Sequence, residues 1–199
     1  MDVVKVGGSL LENARKVMGA LIAYDVLIVP GGGAFADTVR SIQGKTGLGE
    51  KAAHKMAILA MDQYGLFLSD CSGLPAYSSI RDVKTPAVIL PSVLLNSTDP
   101  FAPSWDVTSD TIACHIAKIL GAERFIILKG VDGITVDGRV ASEISARELQ
   151  DLPETCVDLA LPGYLLEYEM DCQIVNGMDK SAVERALNGE HVGTIVWGK

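Results

Sequence analysis

Twice in its first forty residues the chain runs from a short β-branched stretch, through glycines, into a helical pattern. Val3-Val4-Lys5-Val6 is closed by Gly7-Gly8-Ser9, and Asp25-Val26-Leu27-Ile28-Val29 is closed by Pro30-Gly31-Gly32-Gly33. Short Val- and Ile-rich runs bounded by turn residues read as strands buried on both faces. After the first turn, Leu10, Leu11, Ala14, Val17, Met18, Leu21 and Ile22 recur near one helical face, and a second helix begins at Ala34. Repeated strand–turn–helix units need parallel strands with helices crossing over the faces, so the class is α/β with a largely parallel sheet. Such a sheet binds its ligands at the carboxyl ends of strands, where both glycine turns fall. There, backbone N–H groups and the positive end of a helix dipole favour an anion by about 0.3–1 kcal/mol, and Lys5 adds a full charge. The first turn is expected to hold a phosphate, although by itself it reads equally well as a tight βα turn.

A third unit follows the same plan. Arg124-Phe125-Ile126-Ile127-Leu128 reads as a buried strand running into Lys129-Gly130-Val131-Asp132-Gly133, and residues 134–140 read as a hairpin turning at Asp137-Gly138. Before it, Ser109-Asp110 opens a helix that Gly121 stops. Its first turn is crowded with Asp, Thr and Ser, which would cap it. Asp106 and Asp110 at i and i+4 exceed what a cap requires, so one of them is expected to hold a lysine or a metal. The spacing predicts a helix over 50–64 stopped at Gly65, carrying His54, then a short strand at Leu66-Phe67-Leu68. Residues 69–86 read as irregular. Val88-Ile89-Leu90 and Val93-Leu94-Leu95 read as strand, and Val157–Tyr168 as a helical pattern interrupted at Pro162-Gly163. Strands at 172–175 and 193–197 flank a helix over 180–187. Gly44-Lys45-Thr46 imitates the end of a P-loop, but Val39 stands where that loop needs glycine and no strand precedes it; the segment reads as a solvated loop.

A length of 199 residues suits one domain, 1–199, with a sizeable core. A net charge of −8 argues against a nucleic-acid partner, which needs many Lys and Arg contacts, yet leaves room for a small phosphorylated ligand. Cys71, Cys114, Cys156 and Cys172 form no C-x-x-C pair, so neither a zinc knuckle nor a dithiol site is expected, and they read as buried thiols of a reducing compartment. No apolar run approaches the roughly 18–20 residues of a membrane span and no signal peptide is visible, so the expected location is the cytoplasm, with no membrane partner.

Together the blocks resemble the amino acid kinase superfamily, across nearly the whole chain and in order: Lys5-x-Gly7-Gly8-Ser9, Pro30-Gly31-Gly32-Gly33, Ser109-Asp110 opening a helix, and Val131-Asp132-Gly133 after a strand. Val175-Asn176-Gly177 through Thr194 is similar to uridylate and isopentenyl phosphate kinases, whose substrates already carry a phosphate. Three segments, 54–65, Trp105–Asp110 and 156–162, are similar to a branch of methanofuran biosynthesis that phosphorylates [5-(aminomethyl)furan-3-yl]methyl phosphate. The resemblance implies an α/β/α three-layer sandwich, ATP and Mg²⁺ as cofactors, a small phosphorylated substrate, and a homo-oligomer. By the same resemblance Lys5 stabilises the transferred phosphoryl and Asp110 holds the catalytic lysines. Gly7, Gly8 and Ser9 cradle ATP phosphates, and Lys129, Gly130, Val131, Asp132 and Gly133 line the nucleotide pocket. Gly31, Gly32 and Gly33 approach the acceptor phosphate, with His54, Asp106 and Thr108 as further substrate-binding candidates beside Asp62, Tyr77 and Arg81. Many relatives carry a second catalytic lysine in a Gly-Gly-Met-x-x-Lys segment; here Gly177-Met178-Asp179-Lys180 has other spacing, which leaves Lys129 or Lys180 to substitute. The alternatives are a uridylate or isopentenyl phosphate kinase-like activity, or a non-catalytic nucleotide sensor or oxyanion-storage protein of the same fold.

Overall fold

The structure, a computed structural model, describes all residues except Asp82 and the side chain of Thr98. One eight-stranded sheet organises it, in the order β3-β4-β2-β1-β5-β9-β10-β8. The central strands are β1 (Asp2–Val6), β2 (Val26–Pro30), β4 (Ala87–Ile89), β5 (Phe125–Lys129) and β9 (Cys172–Asn176), with β3 (Ala76–Tyr77) at one edge and β8 (Glu143–Ser145) at the other. Neighbours pair in parallel throughout, apart from β9 with β10 (Thr194–Trp197). A hairpin of β6 (Thr135–Val136) and β7 (Arg139–Val140) stands apart from the sheet. From β1 the chain builds outward through β2 to one side and through β5 and β9 to the other. The crossover direction therefore reverses at β1, where open sheets leave a crevice beyond the strand ends.

Helices cover both faces, which is why the central strands are apolar on both. On one side Val4, Val6, Ile28 and Leu128 pack with α1 (Ala14–Leu21) and α8 (Lys180–Leu187). On the other, Val3, Leu27, Val29 and Ile127 pack with α5 (Ser109–Leu120) and α7 (Leu161–Tyr168). Full burial of each such side chain stabilises by about 1.5–3 kcal/mol. The three-layer α/β/α sandwich is the observed architecture.

Several local expectations are corrected. The helix after the first turn starts as a 3-10 segment, Gly8–Asn13, before α1. Gly65 does not end its helix: α3 runs Glu50–Ser72 and stops at left-handed Gly73, so Leu66, Phe67 and Leu68 are helical. Gly65 instead lets α3 lie on the sheet, because a Cβ there would come within 2.8 Å of Leu90 and 3.2 Å of Pro30. Val93, Leu94 and Leu95 belong to α4 (Pro91–Thr98), which Pro91 opens rather than blocks. Pro162 likewise sits in the first turn of α7. Gly44, Lys45 and Thr46 form the last turn of α2 (Gly33–Thr46), where Thr46 Oγ1 donates to the Ile42 carbonyl at 2.8 Å. A phosphate-binding loop would need that sequence at a helix start. The short helix expected over 145–152 is α6 (Ala146–Gln150), behind a capping box of Ser145 and Glu148, and Ser145 itself ends β8. Within 69–86, expected to be irregular, residues 69–72 finish α3 and Ala76–Tyr77 form β3; the part of the expectation that falls on Asp82 lies outside the described residues.

Candidate active site

The two glycine turns meet because their strands are neighbours. β1 and β2 pair with Val6 opposite Pro30, so Gly7–Ser9 and Gly31–Gly33 leave the sheet side by side. The Gly31 N–H donates to the Val6 carbonyl at 2.8 Å, and the Gly7 N–H to the Leu128 carbonyl at 2.9 Å. The backbones then touch. A Cβ on Gly8 would lie 2.3 Å from both the Cα and the N of Gly33, so no side chain fits there. Gly33 itself has φ +52° as it opens α2. Tyr64 of α3 donates to the Gly7 carbonyl at 3.3 Å and braces the turn. The starts of the 3-10 segment and of α2 thus converge on one cavity of about 540 Å³, a favourable place for an anion.

Strand alternation places Lys5 on the face covered by α5. Ile127 lies opposite Lys5 in the register, and Lys129, two residues on, points the same way. Between them stands Asp110 in the first turn of α5, 2 % exposed. Lys129 Nζ donates to Asp110 Oδ2 at 2.6 Å. Lys5 Nζ lies 2.7 Å from Oδ1, the close contact of a charge-assisted pair. Asp110 thus faces both ammoniums at once, one on each carboxylate oxygen. Burial, with the neighbouring Lys129 charge, lowers the Lys5 pKa to about 8 against the pull of Asp110. Burial also opposes the Asp110 charge, but the two ammoniums outweigh it and hold the carboxyl at about 2. Lys129 is buried too, and the Asp110 carboxylate keeps its pKa above the usual lysine range.

Asp110 is itself held by Asp158, a residue sequence reasoning gave no role. Asp158 accepts from the backbone N–H and the hydroxyl of Thr108, both at 2.9 Å, and from the N–H and hydroxyl of Thr111 at 3.0 and 2.5 Å. It also accepts from the Leu161 N–H at 3.0 Å, and its own N–H donates to Asp110 Oδ2 at 3.2 Å. Thr108 makes no capping bond of its own, so Asp158 caps α5 from 48 residues away and ties α7 to the Lys5–Asp110–Lys129 centre. Desolvation and the nearby Asp110 charge raise its pKa.

Most of the residues singled out from sequence come together here. Lys5, Gly7, Gly8 and Ser9 line the cavity, as do Gly32 and Gly33 from the second turn. Asp110 and Thr108 line it from the start of α5, and Lys129, Gly130 and Val131 from the end of β5. His54 also reaches it, but with Nε2 3.0 Å from Asp99. Others do not line it. Gly31 packs beneath the turns, where a Cβ would be 2.7 Å from the Gly8 nitrogen. Asp106 is exposed beside Ser104, Asp132 accepts from Asn176 Nδ2 at 2.7 Å, and Gly133 abuts Thr194. Lys180 is exposed on α8, 3.4 Å from Glu184, so Lys129 and not Lys180 shares Asp110 with Lys5. Arg40 and Trp105 line the cavity and had no role from sequence. For Arg40 a signal was present: it lies seven residues after Gly33, two helical turns along the same face.

Three comparisons bear on this geometry. The family model of the amino acid kinase family matches residues 84–159. The [5-(aminomethyl)furan-3-yl]methyl phosphate kinase of Methanocaldococcus jannaschii is 34% identical, over 96% of this chain and 94% of its own. The uridylate kinase of Methanobrevibacter smithii is 22% identical over 99% of both chains. Among solved structures, the uridylate kinase from Archaeoglobus fulgidus superposes with a TM-score of 0.74 at 19% identity, covering 98% of this chain and 100% of that one, a likeness of fold.

Proposed function

The chain belongs to the amino acid kinase family, and from that premise we propose that it transfers the γ-phosphoryl of ATP to a small molecule already bearing a phosphate, giving a diphosphate. The acceptor we propose is [5-(aminomethyl)furan-3-yl]methyl phosphate, the substrate named for the relative that matches nearly end to end. The observation that carries the proposal is the pair of lysines held 2.7 and 2.6 Å from one buried carboxylate, beside two touching glycine turns.

The chemistry suits such a site. A phosphate oxygen is already an ionised nucleophile, so no general base is needed; the obstacle is repulsion between two anions. Lys5 and Lys129 supply cations where charge develops on the transferred group. Asp110 holds both ammoniums in place without neutralising them fully. The N–H groups of the Gly7–Ser9 turn cradle the donor phosphates and those of the Gly32–Gly33 turn the acceptor phosphate, which sets the two in line. Val131 and Gly130 border the nucleotide. The described residues hold no cluster of three His, Cys, Asp or Glu able to bind a metal ion. This set fits Mg²⁺ carried on nucleotide phosphates rather than in a protein cage. When bound with the nucleotide, Mg²⁺ would supply neutralisation of the donor-phosphate charge beside Lys5 and Lys129.

Release of ADP from ATP and Mg²⁺ with a panel of aminomethylfuran phosphate, uridylate and isopentenyl phosphate tests the proposal. Turnover on the first alone is expected; preference for either of the others replaces the acceptor, and ATP binding without turnover on any phosphorylated acceptor favours a non-catalytic sensor. A pH profile tests the part given to Lys5. The lysine must be protonated to act, so kcat/KM for ATP is expected to fall about tenfold per unit above its free-enzyme pKa of about 8. In kcat the limb shifts to higher pH, because bound phosphates favour the ammonium. A profile flat to about pH 10 would remove Lys5 from the transfer step.

A homo-oligomer belongs to the same proposal. Leu59, Leu66 and Phe67 of α3 are 50, 55 and 39 % exposed, and they recur along one side of the helix, an apolar strip suited to a second copy. Sedimentation equilibrium is expected to give a multiple of 21.1 kDa, and a mass of one chain would overturn the association. No helix among the described residues is long and apolar enough to cross a membrane.

A further inference from the structure

The cavity is lined by three cationic side chains, Lys5, Lys129 and Arg40, and two of them are committed to Asp110. Arg40 is differently placed. Its guanidinium lies 4.3 Å from the centroid of the Trp105 ring, and its ion pair among the described residues is a 3.6 Å contact with Asp37 on the same helix, both side chains exposed. Such a pair contributes little in water. Trp105 is better fixed: its indole N–H donates to Gln43 Oε1 at 2.5 Å, and its ring packs against Val39 and Ala53 between α2 and α3. The indole therefore acts as a rigid parking place and Arg40 as its displaceable occupant. Arg40 also stands on the α2 face that begins at Gly33 and continues through Ala36 and Asp37 along the cavity wall.

We infer that Arg40 is the side-chain ligand of the acceptor's phosphate beside the Gly32–Gly33 turn, leaving the Trp105 face when that phosphate arrives and exposing the indole to a flat ring on the acceptor. The inference rests on the kinase reading above and deepens it. A planar guanidinium grips two phosphate oxygens at once, which a lysine cannot do. The acceptor brings close to two negative charges near neutral pH, while Lys5, Lys129 and Asp110 together offer one net positive charge. Arg40 supplies the missing cation on the acceptor side. The remaining wall, built from Ile58, Met61, Val107 and Ile112, is apolar and takes a small ring rather than a charged chain. The substrate class assigned is a phosphomonoester carried on a small flat ring.

Two measurements test this. In steady-state kinetics with the accepted substrate, Arg40→Ala is expected to raise the acceptor KM at least about tenfold. KM for ATP should stay within about twofold, and Arg40→Lys should recover part of the loss. The second needs no turnover. Trp197 lies outside this cavity, so a Trp197→Phe background leaves Trp105 as the sole tryptophan. Titration of benzyl phosphate, a stable ring phosphomonoester, is expected to change Trp105 fluorescence when Arg40 is present, with at least about tenfold weaker binding in Arg40→Ala. Equal binding of benzyl phosphate to both proteins would overturn the inference, as would an Arg40→Ala effect confined to the ATP KM. If the parent protein turns over none of the acceptors, the kinase reading fails, and the fluorescence titration alone decides whether Arg40 binds a phosphomonoester.

Discussion

Lys5→Met is expected to lower kcat by about 10³-fold or more, with the fold kept. A single cation supplied to a transferring phosphoryl group is worth about 10³–10⁵ in rate, or roughly 4–7 kcal/mol of barrier. Lys5 is well placed to deliver it, because it lines the cavity two residues before the glycine turn that meets Gly33. Methionine keeps the volume of the side chain, and Asp110 retains its bond to Lys129. The lowered Lys5 pKa says that the fold holds this charge against a desolvation penalty, so removing it is expected to change unfolding free energy by no more than about 1 kcal/mol. Single-turnover transfer and urea unfolding on the same preparation check both halves. Turnover within a few-fold of the parent protein would remove Lys5 from the transfer step.

Asp110→Asn has the opposite balance: activity and stability are lost together. The substitution keeps the shape and leaves two buried ammoniums facing each other without a counter-charge, a loss expected at about 3–5 kcal/mol. The acid side gives a signature. The Asp110 carboxyl titrates at about 2 in the folded protein, below the ordinary aspartate value near 3.8. Its stabilising contribution is therefore complete above that ordinary value and disappears as pH falls through about 2. The gap in unfolding free energy between parent and variant should accordingly narrow below about pH 4. Adding Lys129→Met to Asp110→Asn removes one uncompensated charge and is expected to restore part of the stability, but not the activity. If the single variant unfolds like the parent protein, the ion triad does not hold the fold together.

The strands that carry the site were legible from sequence because each is bounded by its own punctuation. Val3–Val6 ends at Gly7, Val26–Val29 at Pro30, and Phe125–Leu128 at Lys129-Gly130, all without help from distant residues. Punctuation misled where tertiary contact overrode it. Gly65 reads as a helix stop, but it lies within α3 as the point where the helix approaches Leu90 and Pro30, and the lost helix propensity of about 1 kcal/mol is outweighed by that packing. Pro91 and Pro162 read as breakers but serve as starts, where proline's missing N–H is not needed. Asp158 left no local trace at all. It caps a helix whose first residues are 47 to 50 positions earlier in the chain, so no window of sequence contains both partners.

The order of strands and turns along the chain was enough to determine an α/β class and to point to the glycine-rich strand ends, with Lys5 and Asp110, as the candidate site. These follow from local physics: which residues tolerate a buried strand, a tight turn or a helix start. Which lysine joins Lys5 was decided only by the sheet. Parallel pairing of β1 with β5 brings Lys129 to the same face as Lys5, two residues beyond the Ile127 that lies opposite it, and Asp110 reaches both. Lys180, which the sequence left open beside Lys129, is on an exposed helix face. The contact of Gly8 with Gly33, the cap that Asp158 places on α5 and the resting place of Arg40 on Trp105 are of the same kind. Each joins segments far apart in the chain, so each exists only once the packing of the sheet and its helices has brought them within reach.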